Sequence, residues 1–256
     1  METKIIYRGS KRGVDRFTIS ATGNFKGNVR RALELCKDMG IEQVEFEDDT
    51  NMTACIETGI EGVICDRKRR GTVVTVPNDV RDGLYEGSSP EKLRMQAYKS
   101  LMQGKTSLTY NRLCPGAITK NGTTGPLFHL IKEMNYRIGE LSRTLMALEK
   151  VAPSKWQILA KQELPEGCEV SEFKDNEGNR YLLVQNVAYE EKKRKVFRLN
   201  LQKKYRVYRV NPHTGKQQLS KEVDAYTVLV MPGDADLLRF QDVEEEAYFI
   251  EYALKK

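Results

Sequence analysis

The chain has 256 residues, 39% of them hydrophobic and 30% charged, which is ordinary for a folded protein and gives room for one large domain or two modest ones. The stretch Met1–Tyr7 lacks a basic segment followed by an apolar run, and nowhere are there about 18 consecutive apolar residues, so neither a signal peptide nor a membrane span is expected. The expected setting is the cytoplasm, or the extracellular space if the chain is excised from a secreted precursor. The formal charge of +6 is uneven, with one basic cluster at Arg67–Arg70 and another at Lys192–Lys195 with Arg198, Lys203, Lys204, Arg206 and Arg209.

In chain order, Lys4–Tyr7 and Arg16–Ser20 read as short strands. Asn28 is placed to cap a helix whose stripe is Val29, Ala32, Leu33, Cys36 and Met39, with Gly40 as its stop. Ile41–Phe46 is the next strand and ends in Glu47, Asp48 and Asp49. Thr53–Thr58 reads as a helical turn, Val63–Cys65 as a buried strand ending at Asp66, and Thr72–Val76 as a β-branched strand ended by Pro77. Ser89 with Pro90 starts a helix carrying Leu93, Ala97 and Leu101, and Thr106–Tyr110 is a strand finishing at Asn111. Helix, glycine stop and strand in repetition describe a parallel α/β arrangement.

In such an arrangement strand ends converge on the face where sites are built. Glu47, Asp48, Asp66 and Asp79 are therefore the candidate catalytic carboxylates, and Asp49 and Asn111 the candidate substrate-binding groups. Two carboxylates about 5 to 9 Å apart would serve acid and base roles in glycoside hydrolysis. The competing reading is acidity for solubility and helix capping. No phosphate-binding glycine loop, dinucleotide fingerprint or nucleophile elbow is present, so no cofactor is expected. Five scattered cysteines without a C-x-x-C pair, and only two histidines, predict buried thiols and no metal site.

After Gly125–Pro126, apolar residues from Leu127 to Leu148 recur at spacings of three and four, predicting a helix of about six turns. Residues 151–155 are a hinge. Beyond it the candidate strands are Tyr181–Gln185, Lys195–Leu199, Tyr205–Val210, Ala225–Met231, Ala235–Phe240 and Ala247–Ala253, an antiparallel sandwich with Trp156 and Phe173 packing it on the preceding domain. The expected division is 1–150, a partial barrel-like domain, and 151–256, a sandwich.

Three passages resemble the C-terminal region of multidomain glycoside hydrolases, whose (β/α)8 catalytic barrel is followed by a small β-sandwich. Ser89–Tyr110 is similar to a final barrel helix and strand, Asn121–Asn135 to the entry into the last helix, and Tyr205–Gly215 with Pro232–Asp234 to the accessory sandwich. The resemblance spans about residues 89–256 and none of its passages is catalytic. It implies a reduced (β/α) barrel-like parallel sheet followed by an antiparallel β-sandwich, and a carbohydrate-binding or assembly role without hydrolysis by the chain alone. About 150 residues precede the sandwich, against roughly 200 to 250 for a complete barrel, so a partner chain or homo-oligomer is expected to cover the incomplete one. Two alternatives stand beside this. One is a compact glycosidase pairing Glu47 or Asp48 with Asp66 or Asp79; the other is a basic protein presenting the 192–209 face to nucleic acid.

Overall fold

The structure is a computed structural model that describes residues 17–243, apart from 24, 26, 47–49, 65–71, 76–78, 82–83, 87–88, 112 and 115. The expected strands Lys4–Tyr7 and Ala247–Ala253 lie outside the described residues. The first part runs β1 (Thr18–Thr22), α1 (Val29–Asp38), β2 (Gln43–Phe46), α2 (Met52–Thr58), β3 (Glu61–Ile64), β4 (Thr72–Thr75), β5 (Asp79–Arg81), β6 (Leu84–Glu86), α3 (Pro90–Met102), β7 (Ser107–Asn111) and α4 (Phe128–Leu145). The second runs β8 (Glu149–Lys150), β9 (Cys168–Lys174), β10 (Arg180–Asn186), β11 (Lys195–Val210), β12 (Gln217–Val230) and β13 (Ala235–Asp242).

Local chemistry sets the ends of the helices. The Asn28 side chain accepts from the Arg31 amide at 3.0 Å and the Ser89 hydroxyl from the Lys92 amide at 3.2 Å, each satisfying an amide that the first helical turn leaves unpaired. The helices α1, α2 and α3 stop by one device: a left-handed glycine, followed by an amide returning to the carbonyl five residues back, as from Lys105 to Ser100 at 3.0 Å. The next strand then begins within three residues of each glycine.

Five strands form a wholly parallel sheet in the order β3-β2-β1-β7-β4. All four helices contribute apolar residues to the cluster that holds Ile19, Ala21, Val44, Leu108 and Tyr110, so they cover one face of the sheet. An open doubly wound sheet carries helices on both faces, whereas a barrel carries them only outside. The strand order makes the same distinction. The last strand, β7, pairs with the first, β1, and going round the sequence β1-β2-β3 and β4-β7-β1 only the step from β3 to β4 is unpaired among the described residues. Among the described residues the sheet is therefore a reduced (β/α) barrel-like sheet of five strands, open between β3 and β4. The residues β5 and β6 form a separate two-stranded hairpin.

The described residues that follow form a six-stranded antiparallel sheet, in the order β12-β11-β13-β10-β9-β8. The spans 195–199 and 205–210, read as two strands in the sequence, are one strand, β11, with a register shift against β12 between Asn200 and Tyr205. Beyond that irregularity the first half of β11 leaves β13, stays paired with β12 and bridges Leu159 through Leu201, so the long hairpin folds over as a second layer. Phe197, Leu199 and Leu201 thereby meet Leu182, Val184 and Leu238 in a second apolar cluster. Trp156 packs on this cluster, within the sandwich, and not on the preceding layers as its sequence position suggested; Phe173 does pack on them.

Strand β10 explains how the parts join. Tyr181 and Leu183 belong to the helix-side cluster and Leu182 and Val184 to the sandwich interior, the period of two expected for a strand buried on both faces. Helices α3 and α4 thus lie between the two sheets. Fully burying a leucine such as Leu101, Leu141 or Leu183 is worth about 1.5 to 3 kcal/mol each. Side chains from β9 and β10 reach the α3 backbone: the Ser171 hydroxyl donates to the Met102 carbonyl at 3.0 Å and the Gln185 amide to the Met95 carbonyl at 2.9 Å. Arg137 of α4 and Asp234 close the seam with one guanidinium nitrogen donating to both carboxylate oxygens at 2.9 Å.

Candidate functional site

Strand alternation puts polar groups on the sheet face away from the helices. In Ile19-Ser20-Ala21-Thr22, Val44-Glu45-Phe46 and Leu108-Thr109-Tyr110-Asn111, the odd-numbered or even-numbered apolar set enters the core and the other set points across the sheet. The parallel register then places Ser20 beside Thr109 and Thr22 beside Glu45. Their hydroxyls are 2.8 Å apart in the Ser20 and Thr109 pair, both buried, and the Thr22 hydroxyl donates to the Asn111 side-chain oxygen at 3.0 Å. The Ser20 hydroxyl also donates to Glu45 at 3.4 Å. In a full barrel these side chains would point into the interior, and Thr22, Glu45 and Asn111 lie at the carboxyl end of their strands, where barrel sites are formed.

The rim above them is built by loops with their own order. The Gly23 amide donates to the Glu45 carbonyl at 2.6 Å, and a side chain at Gly23 would fall within 2.3 Å of the Phe46 ring. Phe25 stands edge-on to that ring, centroids 6.4 Å apart. After β7 the chain buries Leu113, Ala117, Ile118 and Leu127, and a bridge between Ile118 and Thr124 pins the turn that leads to α4. Beneath the sheet, on the helix side, the Tyr110 hydroxyl donates to Asn135 at 2.6 Å and the Asn135 amide to the Met39 carbonyl at 2.9 Å, tying β7, α4 and α1 together.

Of the residues singled out in the sequence, Asn111 is part of this polar face. Glu47, Asp48, Asp49 and Asp66 lie outside the described residues. Asp79 is in β5, opposite Glu86 in the separate hairpin and not in the parallel sheet. Ser20, Thr22, Glu45 and Thr109 were not singled out; their signal is the alternation within three short strands, visible only once the buried parity is known. The basic 192–209 stretch is laced with carboxylates: Lys204 and Arg206 meet Glu222 on the neighbouring strand, Lys195 meets Glu191 and Lys203 meets Asp242. His129 is exposed and edge-on to Phe128. Cys36, Cys55, Cys114 and Cys168 are free thiols, and burial pushes the Cys36 thiol far up. Among the described residues no three His, Cys, Asp or Glu side chains gather in a metal-binding group, and no helix is long and apolar enough to cross a membrane.

No protein-family model matches the chain, and no curated protein does. Among solved structures, it is similar to an alpha-N-acetylgalactosaminidase assigned in Bacillus halodurans (8% identity, 84% of this chain and 62% of that one, TM-score 0.37). It is also similar to an Anoxybacillus alpha-amylase (13% identity, 88% and 52%, TM-score 0.41) and to alpha-galactosidase I of Mortierella vinacea (10% identity, 89% and 77%, TM-score 0.38). The chain spans about half to three-fifths of the length of the first two.

Proposed function

We propose that this chain is a glycoside-hydrolase-like protein that holds carbohydrate on the polar face of its reduced barrel and does not cleave it alone. One observation carries the reading: the face that a barrel turns inward bears hydroxyl, amide and carboxylate groups from Ser20, Thr22, Glu45, Thr109 and Asn111, all at hydrogen-bonding spacing. Such groups both donate and accept, which suits sugar hydroxyls. The resemblance of residues 89–256 to the end of a hydrolase barrel and its sandwich supports the same class. The free thiols fit a reducing compartment, and we place the protein in the cytoplasm.

A second role is favoured by the sheet's edges. The strands β3 and β4 each pair on one side only among the described residues, and a strand edge left in this way recruits another chain. We assign that completion to a second copy or a partner subunit.

The test is titration calorimetry of the full chain against a panel of neutral oligosaccharides, with Thr22→Val and Asn111→Ala combined. Binding by at least one saccharide, weakened about tenfold or more by the double variant, is the expected result. Turnover of aryl glycosides by the full chain, abolished by Asp48→Asn or Asp66→Asn, would overturn the non-catalytic part. Absence of binding across the panel would overturn the carbohydrate part.

A further inference from the structure

A cleft of about 320 Å³ opens where helix α4 meets the β11–β12 turn, lined by Arg137, Arg209, Asn211, Pro212, His213 and Gln218. It is remote in sequence from the polar face and belongs to the other sheet. Small-molecule sites span roughly 300 to 1,000 Å³, so this volume accommodates about one sugar ring.

Its walls are held before any ligand arrives. Asn211 organises the turn: its side-chain oxygen accepts from the His213 amide at 2.8 Å, and its carbonyl from the Gly215 amide at 2.8 Å. The Tyr136 hydroxyl on α4 donates to the His213 carbonyl at 2.9 Å, fixing the turn to the helix. Arg209 and Gln218 are direct neighbours in the β11–β12 register. Asp236 accepts from one guanidinium nitrogen of Arg209 at 2.8 Å, and Asp234 anchors Arg137. A guanidinium has five donor hydrogens, so each carboxylate orients its arginine while leaving donors over. Arg209 remains half exposed, at 53% of its side chain, whereas the Nε of Arg137 is buried and makes no hydrogen bond.

Two carboxylates balance the two arginines, so the cleft selects by directed donors more than by net field. Around them stand two amides that both donate and accept, an imidazole, and the apolar ring of Pro212. An oxyanion for the guanidinium, hydroxyls for Asn211 and Gln218, and a carbon face for Pro212 are the complement of this lining. We propose that the cleft is a second binding site, for an acidic sugar whose oxyanion, a carboxylate or a phosphate, is held by Arg209. The choice of a sugar rests on the carbohydrate reading above; the oxyanion rests on the cleft alone.

The test is calorimetric titration of the full chain with glucuronate, glucose 6-phosphate and glucose, repeated on Arg209→Gln and on Gln218→Ala. Both variants alter exposed positions of a β-hairpin, and their thermal unfolding verifies the fold. Binding of either charged sugar, at least about tenfold weaker with glucose and with Arg209→Gln, supports the site. Glucuronate alone identifies a carboxylate ligand and glucose 6-phosphate alone a phosphate ligand. Equal binding of all three, binding unchanged by Arg209→Gln, or no binding of either charged sugar overturns it. The Thr22 and Asn111 double variant retains this binding, so failure of the polar-face reading and failure of this one are read separately.

Discussion

At the scale of single residues, the seams of this protein are set by buried polar groups that find partners across them. Glu172 is the clearest case: its side chain is fully buried, pairs with Arg180 at 3.2 Å, and accepts from the backbone amides of Gln157 and Ile158 at 3.0 and 3.3 Å. Burial raises its carboxyl above the ordinary value, against the lowering influence of those amides and of Arg180. With the folded value above the unfolded one, the unfolded chain loses this proton first as pH rises, so stability falls through the window between the two and is level on either side. Wild-type urea midpoints are expected to decline more steeply than those of Glu172→Gln as pH rises above the ordinary glutamate range near about pH 4; parallel profiles would remove Glu172 as the cause. Neither Glu172 nor Asn135 was legible in the sequence, because a polar residue within an apolar period announces its burial only through partners about 15 and 96 positions away. Asn111 was legible, since a polar residue ending a β-branched or aromatic strand in an α/β repeat has a place fixed by topology.

At the scale of elements, α1, α2, α3 and the parallel strands were read to within a residue or two, because capping residues and glycine stops act locally, whereas the last helix, with no glycine stop, ends at Leu145 and not at Leu148. The antiparallel elements were read less well. The lysines at 203 and 204 break the apolar alternation of β11, which made one 16-residue strand read as two, although the break is the place where the strand bends between layers. Strand β9 was missed because Cys168–Lys174 carries polar residues on both faces, Glu169 and Ser171 on one and Glu172 and Lys174 on the other, although Ser171 and Glu172 are buried. Gly233 lies in the turn from Met231 to Asp234 and has a second duty there. It has φ of 74°, and an added Cβ would lie 2.0 Å from the Glu91 carbonyl oxygen on α3, so the turn before β13 touches the helix backbone directly. Gly233→Ala is expected to cost about 2 kcal/mol or more, from left-handed strain together with separation of α3 from the turn. Chemical denaturation measures this, and a loss under about 0.5 kcal/mol would mean that the contact yields freely.

At the scale of the whole molecule, the fold class was legible while the manner of joining was not. A reduced parallel barrel and an antiparallel module follow from element order, but the sequence shows no sign that one apolar cluster runs through both. That cluster joins Phe173, Tyr181, Leu183, Val210, Ala235 and Leu237 of the antiparallel sheet to Leu93, Ala97, Leu101, Ile138 and Leu141 of α3 and α4. The division at residue 150 is a proposal about ancestry, and its energetic consequence differs from that of two autonomous domains. Helices α3 and α4 are covered by the parallel sheet on one side and by β9, β10 and β13 on the other, with Arg137 and Asp234 paired across the second boundary at 13% exposure each. Removing the antiparallel sheet would expose the apolar face of α3 and α4 that these six residues cover, at about 1.5 to 3 kcal/mol for each large side chain laid bare. Marginal stabilities of about 5 to 15 kcal/mol do not survive such a loss. The full chain is therefore expected to unfold in one transition, with far-ultraviolet circular dichroism and tryptophan fluorescence coincident, since Trp156 reports the sandwich and the helices dominate the dichroism. Residues 1–150 expressed alone are expected to lack a cooperative transition. Two separated transitions in the full chain, or a cooperatively melting 1–150 fragment, would show that the shared cluster is a contact between independent units and not a common core.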